Sequence, residues 1–109
     1  MAYNETLAQR IRAALGSQPE LVEKKMFGGV GFLVHGNMAC GVHKDLLMVR
    51  VGKTHYAEAL ERPYTTEFDI TGRPMTGWVS VAPPGIETAE MLNAWVQQGV
   101  AFALTLPPK

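Results

Sequence analysis

The chain has 109 residues, ten basic and ten acidic, with 47% hydrophobic content and a single cysteine. That length suits one domain spanning residues 1–109, with a core large enough to fold without disulfide or metal staples. A balanced charge argues against a nucleic-acid binder, which needs a basic footprint to displace counterions. No apolar run reaches the roughly 18 residues of a membrane span, and no charged-then-apolar leader opens the chain. Cys40 has no partner for an internal disulfide, which points to a reducing, cytoplasmic setting. Residues 1–53 hold seven basic and four acidic groups and residues 54–109 hold three and six. Ordinary surface variation explains that split; a mildly basic face meeting an acidic partner is the alternative.

The spacing of Leu7, Ile11, Ala14 and Leu15 predicts a helix over residues 5–15, capped by Asn4 and ended by Gly16 and Pro19. Residues 22–27 read as a short strand or an extended lead-in. Three strands follow, over residues 30–35, 38–43 and 46–51. Gly36-Asn37 suits a two-residue hairpin turn, whereas Lys44-Asp45 is weaker turn chemistry. Connections this short make the strands antiparallel neighbours. A short helix over residues 53–62 stops at Pro63. Strands over residues 64–70 and 78–82 flank a loop at residues 71–74. The chain closes with a helix over residues 88–104, where Leu92, Trp95, Val96, Gly99, Val100 and Ala103 share one face. Gly99 costs about 1 kcal/mol relative to alanine in a helix, a cost that close approach to the sheet would explain.

A Gly36-Asn37 turn pairs His35 with Met38, Leu33 with Cys40 and Gly31 with Val42. Paired residues share a face, so Leu33, His35, Met38, Cys40, Val42, Leu47, Val49 and Val51 form the predicted core face. The opposite face carries Val30, Phe32, Val34, Ala39, His43, Leu46, Met48 and Arg50, which is unusually apolar for a wet surface. Three explanations stay open: the middle helix covers it, a partner or a second copy covers it, or the register is slipped by one residue, which swaps the faces.

The run Met26-Phe27-Gly28-Gly29-Val30-Gly31 invites a phosphate-loop reading. It lacks the third glycine of the dinucleotide fingerprint and the Gly-Lys-Ser/Thr of a P-loop, and it opens a strand rather than a helix. A bend launching the meander is the simpler reading. On the predicted register His35 and Cys40 lie on one face and His43 on the other, so they do not converge as metal ligands. No nucleophile elbow is present, and Cys40 in a central strand lacks the exposure that activates a thiol. No cofactor is implied. Arg50 reads either as a rim residue or as a buried donor paired to a carboxylate.

Met26-Phe27-Gly28-Gly29-Val30-Gly31-Phe32 resembles the TfoX N-terminal domain family. Gly36-Asn37-Met38-Ala39-Cys40-Gly41-Val42, the strand ending in Arg50-Val51, Met75…Trp78-Val79-Ser80-Val81 and Leu92…Trp95 extend the similarity from about Asn4 to Leu104. The resemblance implies a two-layer α+β domain in the order α-β-β-β-α-β-β-α, built like a secretion chaperone. Its founding members are bacterial regulators of competence, also called Sxy, thought to act with a cyclic-AMP receptor protein at promoters and carrying a further C-terminal domain. No catalytic residues come with the resemblance. Met26, Phe27, Gly28, Gly29 and Gly31 serve as a structural signature, and Phe32, Val34, Met48 and Arg50 form the expected face for a protein partner or a homodimer. A non-enzymatic regulatory or protein-interaction module follows; the alternative is a ligand-binding domain or enzyme built on the glycine run and Arg50.

Overall fold

The computed structural model describes residues 3–16, 21–26, 29–68 and 75–108. The loop expected over residues 71–74 and the signature residues Phe27 and Gly28 lie outside the described residues. Asn4 caps α1 (Glu5–Leu15), its side-chain oxygen accepting the Leu7 N–H at 3.0 Å. The predicted apolar stripe of α1 is buried at Leu7, Ile11 and Leu15. The lead-in after α1 is a full strand, β1 (Leu21–Met26), so four strands rather than three precede the second helix. They continue as β2 (Gly29–Val34), β3 (Asn37–His43) and β4 (Leu46–Arg50). After α2 (Lys53–Leu60) come β5 (Thr65–Glu67) and β6 (Trp78–Val81). A 3-10 turn at Pro83–Ile86 leads into α3 (Ala89–Leu104), capped by the Thr88 side chain. All six strands pair antiparallel in the order β1-β2-β3-β4-β6-β5. The result is the expected α+β architecture. β5 starts one residue later than expected because Tyr64 precedes it at φ 61°, outside the extended region, and residues 69–70 of the expected strand lie outside the described residues.

The first hairpin corrects the predicted register. Val34 pairs with Asn37, so the two turn residues are His35 and Gly36, at φ 53° and 81°. A two-residue turn with positive φ at both centres matches the strand twist and prefers glycine at its second position. Gly36 supplies that position rather than the first. Asn37 therefore belongs to β3, where it is buried and donates its amide to the Pro107 carbonyl at 3.0 Å. One residue later in the ladder, β3 bulges at Ala39: Leu33 pairs with Met38 but Phe32 pairs with Cys40. Beyond the bulge Gly31 pairs with Gly41 and Val30 with Val42.

The slip decides between the three explanations for the second face. Val30, Phe32 and Val34 stand on the helix-covered side with Cys40, Val42, Leu47, Val49, Val79 and Val81, all in one core with the buried residues of α1 and α3. Phe32 and Val34 are fully buried, so the expectation that they face a partner or a second copy is corrected: a one-residue shift turned them inward. Leu33, His35 and Met38, expected in the core, are only half-buried. Cys40, Val42, Leu47, Val49 and Val51 are buried as predicted. The outer face carries Gly41, Met48 and Ser80 in adjacent strands, with Arg50 beside Trp78. Phe68, just past β5, sets its ring against His43 and Trp78 there.

Gly99 has the role that its cost implied. A Cβ at this position would lie well inside van der Waals contact distance of the Ala39 carbonyl oxygen, which is backbone and cannot swing away. The α3 helix thus rests directly on the bulge. Replacing Gly99 with alanine removes the helix penalty but forces helix and sheet apart. We expect Gly99→Ala to destabilise the domain by about 1–3 kcal/mol, the range for overpacking, read as a lower urea midpoint at unchanged slope. A variant as stable as the parent would show that the approach is not close.

Candidate interaction site

The described glycines of the run, Gly29 and Gly31, do not form a phosphate-type loop. Gly29 and Gly31 are residues of β2 itself, with Met26 opposite Gly29. A Cβ on Gly29 would strike the Val42 carbonyl oxygen of the neighbouring strand. These glycines serve close backbone packing in the sheet. Cys40 and His43 project from opposite faces of β3, because three positions separate them in an alternating strand. Among the described residues no three His, Cys, Asp or Glu groups are placed to hold a metal ion. No described helix is long and apolar enough to cross a membrane.

Cys40 is fully buried, and burial pushes its thiol up to about 12. The folded protein thus holds it as the unreactive thiol.

The arginines separate into two groups. Arg10 donates to the Ile86 carbonyl at 2.6 Å and closes the end of the 3-10 turn. Arg12 grips Glu23 through Nε and Nη2 at 2.7 and 2.9 Å and reaches Glu5 at 2.8 Å, tying α1 to β1. Its guanidinium holds the exposed Glu5 carboxyl below its ordinary range. Arg62 lies flat on Trp95, 3.5 Å from the ring centre, and donates to Gln98 Oε1 at 3.0 Å. Desolvation there lowers the Arg62 pKa.

Arg50 differs from all three. It closes β4 beside Trp78 of β6. Its guanidinium carbon lies 5.7 Å from the Trp78 ring centre and 5.4 Å from that of Phe102 on α3. Neither a carboxylate nor a carbonyl of the described residues engages its N–H groups. Of the two readings of Arg50, the buried ion pair is not formed among the described residues, and the rim reading fits. Met75, 43% exposed, adjoins the group by accepting the Trp78 N–H at 3.0 Å. Met48 of the expected partner face is on this side of the sheet but is itself buried. Sequence reasoning singled out Arg50; it missed Trp78 and Phe102, because only the fold brings the end of β6 and the last turns of α3 to it.

Among the described residues, three surface grooves border α3. One of about 440 Å³ separates it from α1 near Arg10 and Asn93. One of about 450 Å³ lies between Arg62, Tyr64, Met91 and Trp95, with Tyr64 and Met91 exposed. The third, about 360 Å³, runs between α2 and α3 along Val51, Ala101 and Phe102. None of these three is lined by Gly29, Gly31 or Arg50.

The family model described as TfoX N-terminal domain matches residues 13–103. No curated protein matches the chain.

The Cys40 environment gives a test by pH. Its folded pKa is raised above the unfolded value of 9.0, so its contribution to stability is complete below pH 9 and is lost as pH rises toward 12. Stability should fall across that alkaline window, and Cys40→Ala should flatten the fall. A thiol reagent at pH 8 should label the native protein only at the rate of unfolding. Prompt labelling of the native state would contradict the buried placement.

Proposed function

The chain belongs to the TfoX N-terminal domain family, and on that premise we propose that it is a non-enzymatic regulatory module that works by binding another protein. One observation carries the reading: Arg50 stands half-buried between Trp78 and Phe102, with its donors unengaged by the described residues and Met75 exposed alongside. Arginine and tryptophan dominate the energetic centres of protein interfaces, and methionine is enriched there. The other chemistry-bearing groups serve the fold. Arg10, Arg12 and Arg62 hold helices in place, and Cys40 is sealed in the core. The family is not a known enzyme family. Its founding regulators lend the finer reading: a cytoplasmic role in transcription or competence control, exerted through a protein contact rather than through DNA. The balanced charge supports the second half of that statement.

Chemical cross-linking in the native cell, followed by affinity capture and mass spectrometry, tests the module. We expect a protein that is enriched over a heat-denatured bait and that re-forms the complex from purified components. Failure to recover any such protein, under conditions that keep weak complexes intact, would remove the basis for the reading. So would steep, salt-dependent binding to duplex DNA by the domain alone.

A further inference from the structure

A half-buried guanidinium has lost part of its hydration, and its five N–H donors must be satisfied by something. In this domain, the other arginines of the described residues meet carbonyls, carboxylates or an amide oxygen. Arg50 meets two aromatic rings and no acceptor among the described residues. Ring faces attract the cation, but they leave the in-plane N–H groups open. Those groups form a planar fork that matches an oxyanion with two oxygens.

The surroundings narrow the choice of oxyanion. A nucleic-acid backbone is held by several cations spread along its phosphates. Here the Arg50 guanidinium stands by the rings of Trp78 and Phe102, with the exposed Met75 joined to Trp78 through its backbone carbonyl. That pattern suits a single carboxylate carried on an apolar stretch. Phe102 also walls the groove between α2 and α3, where Val51 and Ala101 offer apolar contact to neighbouring residues of such a stretch. Glu58 lines the same groove and repels a second carboxylate in it.

We propose that Arg50, framed by Trp78 and Phe102, is the receptor for one acidic side chain on an otherwise apolar segment of a protein partner. The inference rests on the reading of the domain as a protein-binding module and names the chemistry that its partner presents.

The full chain, isotopically labelled, is titrated with the capped peptide acetyl-Glu-Leu-Leu-amide, with its glutamine counterpart and with a short DNA duplex. The readouts are the Arg50 Nε–H and Trp78 indole N–H resonances. The glutamate peptide should shift both. The glutamine peptide should bind at least about tenfold more weakly, the loss that follows from removing a charge-assisted bidentate contact. Arg50→Gln should abolish the preference for glutamate, and Arg50→Lys should retain only part of it, since lysine keeps the charge but not the fork. Circular dichroism melting confirms that each variant folds; should Arg50→Gln fail to fold, the two peptides on the unaltered chain still decide the matter. Equal shifts from both peptides overturn the proposal, as do shifts confined to other residues or none at millimolar peptide. Shifts at Arg50 from the duplex but not from the glutamate peptide assign the receptor to phosphate instead and also overturn it. If cellular capture recovers a partner that Arg50→Gln binds equally well, the module survives and this receptor does not.

Discussion

The contact between Gly99 and the Ala39 carbonyl sets the distance between the two layers of this domain. The bulge at Ala39 pushes a carbonyl out of the β3 ladder toward α3, and only a residue without a side chain can lie against it. The same bulge resets the pairing of β2 with β3, which turns Val30, Phe32 and Val34 toward the helices. A side chain at position 99 would lift α3 away from the valines that it covers. A regular β3 would put Phe32 into water. The core thus depends on two local irregularities that fit each other, an extra strand residue and a missing Cβ.

The elements were largely legible because their boundaries have local causes. Asn4 and Thr88 are good caps, Pro63 and Pro83 break the chain where elements end, and the stripe from Leu92 to Ala103 has helical spacing. The sheet faces were not legible, because which side chains of β2 and β3 share a face depends on the one extra residue at Ala39, inside the strand. Gly36 fits either centre of a two-residue turn, and the sequence contains nothing that separates His35-Gly36 from Gly36-Asn37. The bulge at Ala39 is invisible for a similar reason: an alanine among apolar neighbours looks the same whether it is in or out of the ladder. The unusual hydrophobicity of the presumed outer face was the available signal, and a register slip was among its three readings.

The functional residues divide along the same line. Arg50 stands out in the sequence as the lone acidic or basic residue within β2, β3 and β4, His43 aside, but its meaning comes from Trp78 and Phe102, which are distant in the chain. The glycine run stood out more, and its described glycines, Gly29 and Gly31, proved to be residues of the sheet. Arg62, which stacks on Trp95 across the helical layer, gave no sign in the sequence, since a cation near a proline-closed helix end reads as ordinary surface. A motif is noticed by composition, whereas a site is made by what the fold brings beside it.

The covering of the sheet by α3 also orders events while the chain is being made. The strands from Leu21 to Arg50 leave the ribosome first, and their hairpins are local enough to form early. α1 covers only part of their apolar side, the rest of which stays bare until residues 89–104 follow, and the amide of Asn37 waits longer still for Pro107. A partly synthesised chain therefore shows Val30, Phe32 and Val34 to any cytosolic factor that recognises exposed hydrophobic strands. In this domain, the last helix made is the one that ends that exposure.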